Sequence, residues 1–228
     1  IVEAEEVPDT PGYSTFNESR YVAPGQTELL NVSLLGPVEN NGTFFLTIQD
    51  AINASNDGDT LDIREGTYVE GLTIPAGKSN LTLNGSGVGD TIVDGNVTVE
   101  GDNNTVQDLT IQGDYTNNGN NNTLSNVDVT SSSPGGVVSL NGDDATLDDV
   151  TAELLEISGD RATVTDSAID ASLRGERYAA QITGDSATIE SSELTNALNA
   201  TENAIVRVVD LSGDFATIRD STITGDHD

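Results

Sequence analysis

A short phrase that recurs six times constrains the fold of this chain more than any other feature of its sequence. The phrase reads Gly-Asp-x-Ala-Thr-aliphatic-x-Asp, and its copies begin at Gly101, Gly119, Gly142, Gly159, Gly184 and Gly213. Neighbouring copies start between 17 and 29 residues apart. A period near 20 that stretches without losing its phase is typical of a solenoid whose insertions loop out of a repeating core.

The columns of this repeat favour strands. Thr occupies the fifth position of every copy, the sixth is always Val, Leu or Ile, and the eighth is Asp, Asn or Ser. Apolar pairs two residues apart precede most of the glycines, as in Val138 with Leu140. Alternate side chains of a strand share one face, so these pairs indicate strands. Since two strands per repeat leave no room for a helix, the sequence predicts an all-β parallel β-helix whose aliphatic columns fill the interior.

The residues that precede the repeat have a different character. Residues 1–42 hold four of the six prolines and are predicted to form an extended N-terminal arm or a small β element. Within 45–54, apolar residues follow helical spacing, which predicts a short helix that covers the exposed first turn of the solenoid. The predicted domains are therefore the arm at 1–42 and the solenoid at 43–228. The last repeat has no capping helix, so we expect further chain or another subunit to cover that end.

Short segments in the first half of the chain resemble a known superfamily. They are Thr-Ile-Gln-Asp-Ala-Ile at 47–52, Gly-Asp-Thr-Leu at 58–61, Gly-Thr-Tyr at 66–68 followed by Glu70, Leu-Thr-Leu-Asn-Gly at 81–85 and Val-Asp-Gly at 93–95. Together they resemble the opening of pectin-lyase-like right-handed parallel β-helix proteins, a likeness that extends over about residues 43–228. The resemblance implies a right-handed parallel β-helix (solenoid) with a short N-terminal capping helix and an extended arm. It implies no single activity, because the superfamily includes pectin methylesterases, polygalacturonases, carbohydrate-binding solenoids and viral tail spikes.

The catalytic patterns of that superfamily have no match in this chain. The polygalacturonase pattern includes Gly-His-Gly, whereas the only histidine here is His227. The Asp pairs at 143–144 and 148–149 are explained by the repeat. The methylesterase arrangement and the pectate-lyase Arg-x-Pro segment are both missing. We therefore assign no catalytic residue and no required cofactor.

The charge of the chain excludes several partners. With 39 acidic residues against 8 basic ones, the net charge is −31, which repels nucleic acids and anionic membrane surfaces. The aliphatic columns argue against the alternative of an acidic disordered tail. Dense carboxylates keep a surface hydrated at high salt. We therefore expect a halophile, either an archaeon or a virus of one, and the sequence leaves virus and host open.

The second position of the repeat forms a column of like charges, namely Asp102, Asp143, Asp160, Asp185 and Asp214. At an interstrand spacing of about 4.8 Å, neighbouring charges repel by about 0.9 kcal/mol in water. At molar salt the Debye length of about 3 Å reduces this repulsion to about 0.2 kcal/mol. The column is a weak candidate for loosely bound Na⁺, K⁺ or Ca²⁺. The alternative is a plain solvated acidic face.

Other features of the sequence favour secretion. The chain has no Cys, which excludes disulfides, and no Met, so we expect a leader or longer N-terminal region to have been removed. No stretch is long and apolar enough to span a membrane. Asn-x-Ser/Thr glycosylation motifs begin at Asn17, Asn31, Asn41, Asn53, Asn80, Asn84, Asn96, Asn103, Asn121 and Asn199. The alternative is that these residue types simply suit the turns of a β-helix.

Three insertions follow the same position of the repeat, at residues 130–136, 170–179 and 195–206. The shared phase predicts one loop face, and binding faces are commonly built in this way. The middle insertion contains Arg174, Arg177 and Tyr178, a basic and aromatic spot on an acidic chain. This spot suits an acidic partner or a glycan. The alternative is that the arginines neutralise nearby acidic residues.

These features predict an extracellular structural and recognition β-helix, located on a cell surface or a virion surface. It would be a subunit of a cell-surface structure, a filament, or a viral spike or tail fibre, and would form a homo-oligomer or filament. Other protein subunits and surface glycans are the expected partners. The alternative is a secreted protein that binds or degrades polysaccharides, as a lyase or hydrolase does.

Overall fold

The structure is a computed structural model that describes residues 36–131, 136–172, 178–196 and 208–225. These residues form 22 strands and one helix. Most of the predicted N-terminal arm, residues 1–35, lies outside the described residues. The prediction of an all-β fold is confirmed.

The strands are short and follow one another closely along the chain. In order, they are β1 (Val38–Asn40), β2 (Thr43–Phe45), β3 (Thr60–Ile63), β4 (Gly66–Tyr68), β5 (Leu72–Ile74), β6 (Thr82–Asn84), β7 (Thr91–Val93), β8 (Val97–Val99), β9 (Thr105–Gln112), β10 (Tyr115–Asn117), β11 (Thr123–Thr130), β12 (Val137–Leu140), β13 (Thr146–Ala152), β14 (Leu154–Ile157), β15 (Thr163–Thr165), β16 (Ala168–Asp170), β17 (Ala180–Ile182), β18 (Thr188–Glu190), β19 (Glu193–Asn196), β20 (Val209–Leu211), β21 (Thr217–Arg219) and β22 (Thr222–Gly225). The helix, α1 (Ile48–Ala54), lies between β2 and β3.

From β3 onward the strands belong to two parallel sheets, which we call the stack. The main path of the larger, 15-stranded sheet runs β2-β1-β3-β6-β9-β11-β13-β15-β18-β21, and the smaller sheet runs β20-β17-β14-β12-β10-β8-β5. Each repeat therefore adds at least one strand to each sheet. Equivalent residues of neighbouring repeats pair in register, as Leu124 does with Val106 on one side and with Leu147 on the other. The predicted parallel pairing of the repeats is confirmed.

One continuous apolar core runs between the two sheets. The sixth-position residues of the first five copies of the repeat are buried, namely Val106, Leu124, Leu147, Val164 and Ile189. The smaller sheet contributes a facing column that includes Val99, Leu140, Ile157 and Ile182. Since burial of each such side chain is worth about 1.5–3 kcal/mol, these columns are the main source of stability.

The first-position glycines are required by the close approach of neighbouring backbones. A Cβ atom added to Gly142 would lie 1.8 Å from the carbonyl oxygen of Gly119, and one added to Gly159 would lie 2.0 Å from that of Gly142. No side chain fits at such distances. The repeat therefore keeps glycine because the preceding repeat occupies the space of a side chain.

Two further columns of the repeat have left-handed backbone conformations. The third-position residues have φ between 54° and 61°, namely Asn103, Asn121, Asp144, Arg161, Ser186 and Phe215. The eighth-position residues have φ between 49° and 58°, namely Asp108, Asn126, Asp149, Asp166, Ser191 and Asp220. Asn and Asp tolerate this conformation better than other non-glycine residues, which explains their frequency here. The polar column at the eighth position of the repeat therefore coincides with a bend of the backbone.

Helix α1 begins at an N-cap and packs one face on the core. The Oγ1 atom of Thr47 accepts a hydrogen bond from the backbone N–H of Asp50 at 3.1 Å. Ile48, Ala51 and Ile52 are buried against the first strands. The helix lies inside the predicted range 45–54, and the residues just before it belong to β2 and the N-cap.

Candidate functional site

The three predicted insertions leave the stack at one corner. Each lies where the chain passes from the larger to the smaller sheet, between β11 and β12, β16 and β17, and β19 and β20. In other repeats the same corner is closed by the two residues Gly113 and Asp114, or by Glu153 alone. Connection length therefore varies at this corner while the register of the strands is kept. We call it the variable corner.

The residues predicted to bind at the variable corner are only partly described. Arg174 and Arg177 lie outside the described residues. Tyr178 is half-buried beside β17, and its hydroxyl group donates a hydrogen bond to Oε1 of Gln181 at 3.2 Å. The structure thus places Tyr178 at the base of the middle insertion.

The second-position side chains of the repeat form a ladder of hydrogen bonds from one repeat to the next. Each side chain accepts the backbone N–H of the second-position residue in the next repeat. The bonds run from Asn120 to Asp102 at 2.7 Å, from Asp143 to Asn120 at 2.9 Å, from Asp160 to Asp143 at 2.9 Å, from Asp185 to Asp160 at 2.9 Å and from Asp214 to Asp185 at 2.8 Å. Charge-assisted bonds of this kind are among the stronger hydrogen bonds in proteins. They offset the repulsion between the stacked charges, so this column holds neighbouring repeats together.

A second set of hydrogen bonds reinforces the same corner of the repeat. The third-position N–H donates to the second-position carbonyl oxygen of the next repeat, as Arg161 does to Asp185 and Ser186 does to Asp214, both at 2.8 Å. Each pair of neighbouring repeats is thus joined by two hydrogen bonds at this corner. We call it the Gly-Asp corner.

Cation binding along the second-position column stays a prediction. Within the described residues, no group of three or more Asp, Glu or His side chains is close enough to hold a metal ion. At one place along this column the positive charge comes from a side chain of the protein, the guanidinium group of Arg161. Nε and Nη2 of Arg161 each donate to Asp144 at 2.7 Å, and Nη2 lies 3.5 Å from Asp143. The hydrogen bond from Arg161 lowers the pKa of the Asp144 carboxyl group.

Most of the described glycosylation candidates are accessible. The side chains of six are exposed, namely Asn41, Asn53, Asn80, Asn96, Asn103 and Asn121. Asn84 is half-buried and engaged on both sides, because its Nδ2 donates to Asp62 at 2.8 Å and its Oδ1 accepts from Gln107 at 2.9 Å. Asn17, Asn31 and Asn199 lie outside the described residues.

Two edge strands at the N-terminal end of the stack, β3 and β5, have partners outside the parallel sheets, whereas β4 pairs only with β7 among the described strands. The side-chain amide of Gln49 donates to the carbonyl oxygen of Thr73 at 3.1 Å and accepts from its N–H at 2.8 Å, so it pairs with the edge strand β5 as a strand would. The carboxylate of Glu70 in turn accepts the backbone N–H groups of Ile48 and Gln49, which holds α1 in place. In the larger sheet, β3 ends the parallel ladder by pairing with the antiparallel strand β1. Sequence reasoning missed Gln49 and Glu70, although both belong to segments that carry the resemblance.

The C-terminal end of the stack is open within the described part of the chain. Strands β20, β21 and β22 each have a strand on one side only. The apolar columns end there without cover: Leu211 is 47% exposed and Ile223 is 50% exposed, whereas the equivalent residues one repeat earlier, Ile182 and Leu194, are 1% and 0% exposed. An uncovered edge with apolar residues is a surface for strand pairing.

One small cleft lies at the outer face of β3 and β6. Its volume is about 140 Å³, and its lining includes Glu39, Asp62 and Arg64. The guanidinium group of Arg64 stacks over the ring of Phe44 at 5.4 Å. The cleft is smaller than the few hundred Å³ of ordinary small-molecule sites. Nothing in this cleft combines an acid, a base and a substrate-sized space.

Comparisons of the sequence with protein-family models and with curated proteins found no match. The likeness to pectin-lyase-like proteins therefore stays a prediction from the sequence. None of the helices in the described ranges is both long and apolar enough to cross a membrane.

Proposed function

We propose that this chain is a right-handed parallel β-helix that acts as a structural and recognition subunit on the surface of a halophilic cell or its virus. The in-register stacking of the repeats in two parallel sheets supports the proposal of a parallel β-helix. A rod built in this way is stiff, because each repeat is joined to the next by sheet hydrogen bonds and by the Gly-Asp corner. Such a rod suits display better than it suits a moving, catalytic part.

The variable corner is the observation on which the recognition role rests. The three insertions leave the stack at one corner, and the strands that flank them keep their register. Solenoid proteins commonly bind through such loops. Arg174, Arg177 and Tyr178 belong to the middle insertion, and we propose that they bind an acidic protein or an acidic glycan.

The distribution of carboxylates supports adaptation to high salt. The second-position ladder places like charges one repeat apart, and molar salt weakens their repulsion far more than it weakens the hydrogen bonds that join them. Among the described residues, ion pairs to the acidic side chains involve Arg161 and Arg219. An acidic surface with few internal counter-charges relies on dissolved cations for neutralisation.

Binding in molar KCl tests the recognition role. The labelled chain is incubated with halophilic archaeal cells and with their isolated acidic surface polysaccharide, and the bound fraction is measured. We expect Arg174→Ala/Arg177→Ala to reduce binding at least about tenfold, which corresponds to about 1.4 kcal/mol. The control is Arg219→Ala, which removes a similar charge whose Nη2 lies 2.6 Å from Glu190 on the larger sheet.

Two results would contradict the proposal. Equal binding by the double variant and the control would remove the variable corner from recognition. Release of new reducing ends or unsaturated sugars from the polysaccharide would favour the alternative of a degrading enzyme. A crystal structure of the protein grown in molar salt tests the handedness of the β-helix separately. A left-handed path of the chain would contradict the proposed right-handed β-helix.

A further inference from the structure

The third position of the repeat holds Asn in three successive repeats, and each of these residues begins an Asn-x-Thr glycosylation motif. Asn103 and Asn121 come two residues before Thr105 and Thr123, which pair with each other in register. The register of the preceding strand places Asn80 at the same position one repeat earlier. The three residues therefore lie about 4.8 Å apart along the Gly-Asp corner. We call them the Asn column.

The backbone conformation does not by itself require Asn in this column. The φ angles of its members lie between 54° and 59°, in the left-handed region that Asn tolerates well. Later copies of the repeat keep this conformation and keep Thr at the fifth position, yet they hold Arg161, Ser186 or Phe215 at the third. The succession of three Asn residues therefore has a reason other than the bend.

The side chains of the Asn column can be modified at no cost to the fold. An N-linked sugar is joined to Nδ2 of Asn, so this atom must be accessible and able to give up a hydrogen. Asn103 and Asn121 are exposed, and neither side chain makes a hydrogen bond within the described part of the chain. Asn80 is also exposed, and its Nδ2 makes only a long hydrogen bond of 3.3 Å to Oγ of Ser79.

The other described motifs are poorer acceptors. Nδ2 of Asn41 and Nδ2 of Asn84 each donate to an Asp carboxylate, at 2.9 and 2.8 Å. In the motif that begins at Asn53, the hydroxyl group of Ser55 is buried and donates to a backbone carbonyl oxygen at 2.8 Å. Asn96 is intermediate, because its Oδ1 accepts a backbone N–H at 3.0 Å. The structure thus separates the Asn column from motifs whose polar groups hold the fold together.

We propose that the Asn column carries N-linked glycans, an inference that rests on the extracellular location in the proposed function. The sugar donor is a glycan linked through phosphate to a membrane lipid. Nδ2 attacks the anomeric carbon of the sugar, so the new N–C bond forms as the C–O bond to phosphate breaks. The lipid phosphate leaves with the bonding electron pair, and the amide nitrogen gives one proton to the solvent.

The spacing of the column limits how many glycans it can hold. Members one repeat apart are separated by about 4.8 Å, and members two repeats apart by about 9.6 Å. A pyranose ring with its hydroxyl groups is wider than the first distance and fits the second. We therefore expect glycans at Asn80 and Asn121 in the same molecule, and at Asn103 only where its neighbours are unmodified.

The glycosylated edge lies across the stack from the variable corner. The chain passes from the smaller to the larger sheet at the Gly-Asp corner and returns to the smaller sheet at the variable corner. Glycans on the Asn column therefore cover one edge of the first repeats and leave the other edge free for a partner. They also hydrate the surface without adding charge to an acidic chain.

Peptide mass spectrometry tests the proposal. The 228-residue chain is exported by a halophilic archaeal host chosen because it modifies an Asn-Ala-Thr tag appended to the chain. Cleavage before Asp places Asn103 in the peptide 102–107 and Asn121 in the peptide 114–127. We expect glycan mass on both peptides, with the larger modified fraction on 114–127, and none on Asn84. An unmodified Asn column on a chain whose tag is modified overturns the proposal.

Two sets of variants sharpen this test. Thr105→Val/Thr123→Val removes two motifs but keeps both Asn residues and the β-branched shape, so these glycans should be lost while circular dichroism is unchanged. Thr105→Ser/Thr123→Ser is the matched control and should keep most of the glycan. Loss in both variants, or in neither, rejects the assignment.

The crowding of the column has its own readout. In Asn80→Gln/Asn121→Gln, the modified fraction of the peptide 102–107 should rise at least about twofold, because no bulky neighbour remains. An unchanged fraction would show that neighbouring members accept glycans independently, which contradicts the limit set by the spacing.

The outcome is independent of recognition at the variable corner. Thr105→Val/Thr123→Val should bind the acidic polysaccharide as the wild type does, and Arg174→Ala/Arg177→Ala should be glycosylated normally. If the Asn column is unmodified while the arginine variant still loses binding, recognition stands and the glycosylated edge is wrong. If the column is modified while the arginine variant binds normally, the reverse holds.

Discussion

The backbone N–H of Asp185 donates a hydrogen bond of 2.9 Å to the carboxylate of Asp160, although both side chains belong to one file of negative charges. The same relationship recurs along the file, and at Asn120 an amide oxygen takes the place of the carboxylate. The second position therefore requires a side-chain oxygen that accepts the hydrogen bond, whereas it does not require a negative charge. The attraction is local and the repulsion is long-ranged, so salt changes their balance.

Substitution of Asp160 should separate these two effects. Asp160→Asn keeps the acceptor oxygen and removes a charge, so we expect it to stabilise the chain in dilute buffer and to be neutral in molar KCl. Asp160→Ala loses the hydrogen bond and should cost about 1 kcal/mol at either salt concentration. Thermal unfolding of both variants across a KCl series measures the difference. Equal destabilisation by both variants at low salt would show that the charge is needed.

Replacement of Gly159 should be severe. The Cβ atom of Gly159→Ala would lie 2.0 Å from the carbonyl oxygen of Gly142, so the two repeats must separate. We expect a loss of more than about 3 kcal/mol or failure to fold. The matched control is Gly77→Ala, because no atom lies within 4 Å of its added Cβ. Similar melting temperatures for the two variants would contradict the steric explanation of the repeat.

The closure of the N-terminal end should depend on one amide. Gln49→Ala removes both the donor to the carbonyl oxygen of Thr73 and the acceptor of its N–H, so we expect a loss of about 1–3 kcal/mol. Ala54→Gln, an exposed change on the same helix, should have little effect. Hydrogen exchange at the N–H of Thr73 provides a local readout, which should become faster in Gln49→Ala only. Unchanged protection would mean that the amide does not hold the edge.

The pKa of Asp144 should report its contact with Arg161. The folded-state pKa lies below the ordinary value of 3.8, so this pair contributes stability above that pH and loses it as the pH falls through the folded-state value. Arg161→Ala should therefore raise the pKa of Asp144 and reduce the loss of stability on acidification. NMR titration of the Asp carboxyl carbons measures the shift. Arg161→Lys should restore part of it, since a lysine keeps the charge without the two-pronged contact.

The parallel stacking could be predicted because the repeat itself carries it. Thr at the fifth position, an aliphatic residue at the sixth and a polar bend at the eighth define two faces and a turn without any other knowledge. The strand register across the insertions could also be predicted, because the same repeat positions recur after each insertion. These features are local, and a local pattern is what a sequence displays directly.

The contacts between repeats could not be predicted in the same way. The bond from Asp185 to Asp160 joins residues 25 positions apart, and that from Gln49 to Thr73 joins residues 24 apart. Their direction depends on backbone conformations that composition does not reveal. Asn104 and Asn122 are buried, the backbone N–H of Asn104 donates to Oδ1 of Asn122 at 2.6 Å, and both occupy a column that holds Ala in the later repeats. The Ala residues at this fourth position of the later repeats are the one signal in the phrase that these Asn residues face inward.

The left-handed third position of the phrase has a practical consequence. Asn, Asp, Arg, Ser and Phe all occur there, and the φ angle changes by only a few degrees among them. The conformation is imposed by the backbone on either side, so the side chain is free to vary. Read from one repeat to the next, this position is a row of interchangeable attachment points about 4.8 Å apart. Substitutions at the third position could therefore place chosen side chains at regular spacing along the surface of the stack.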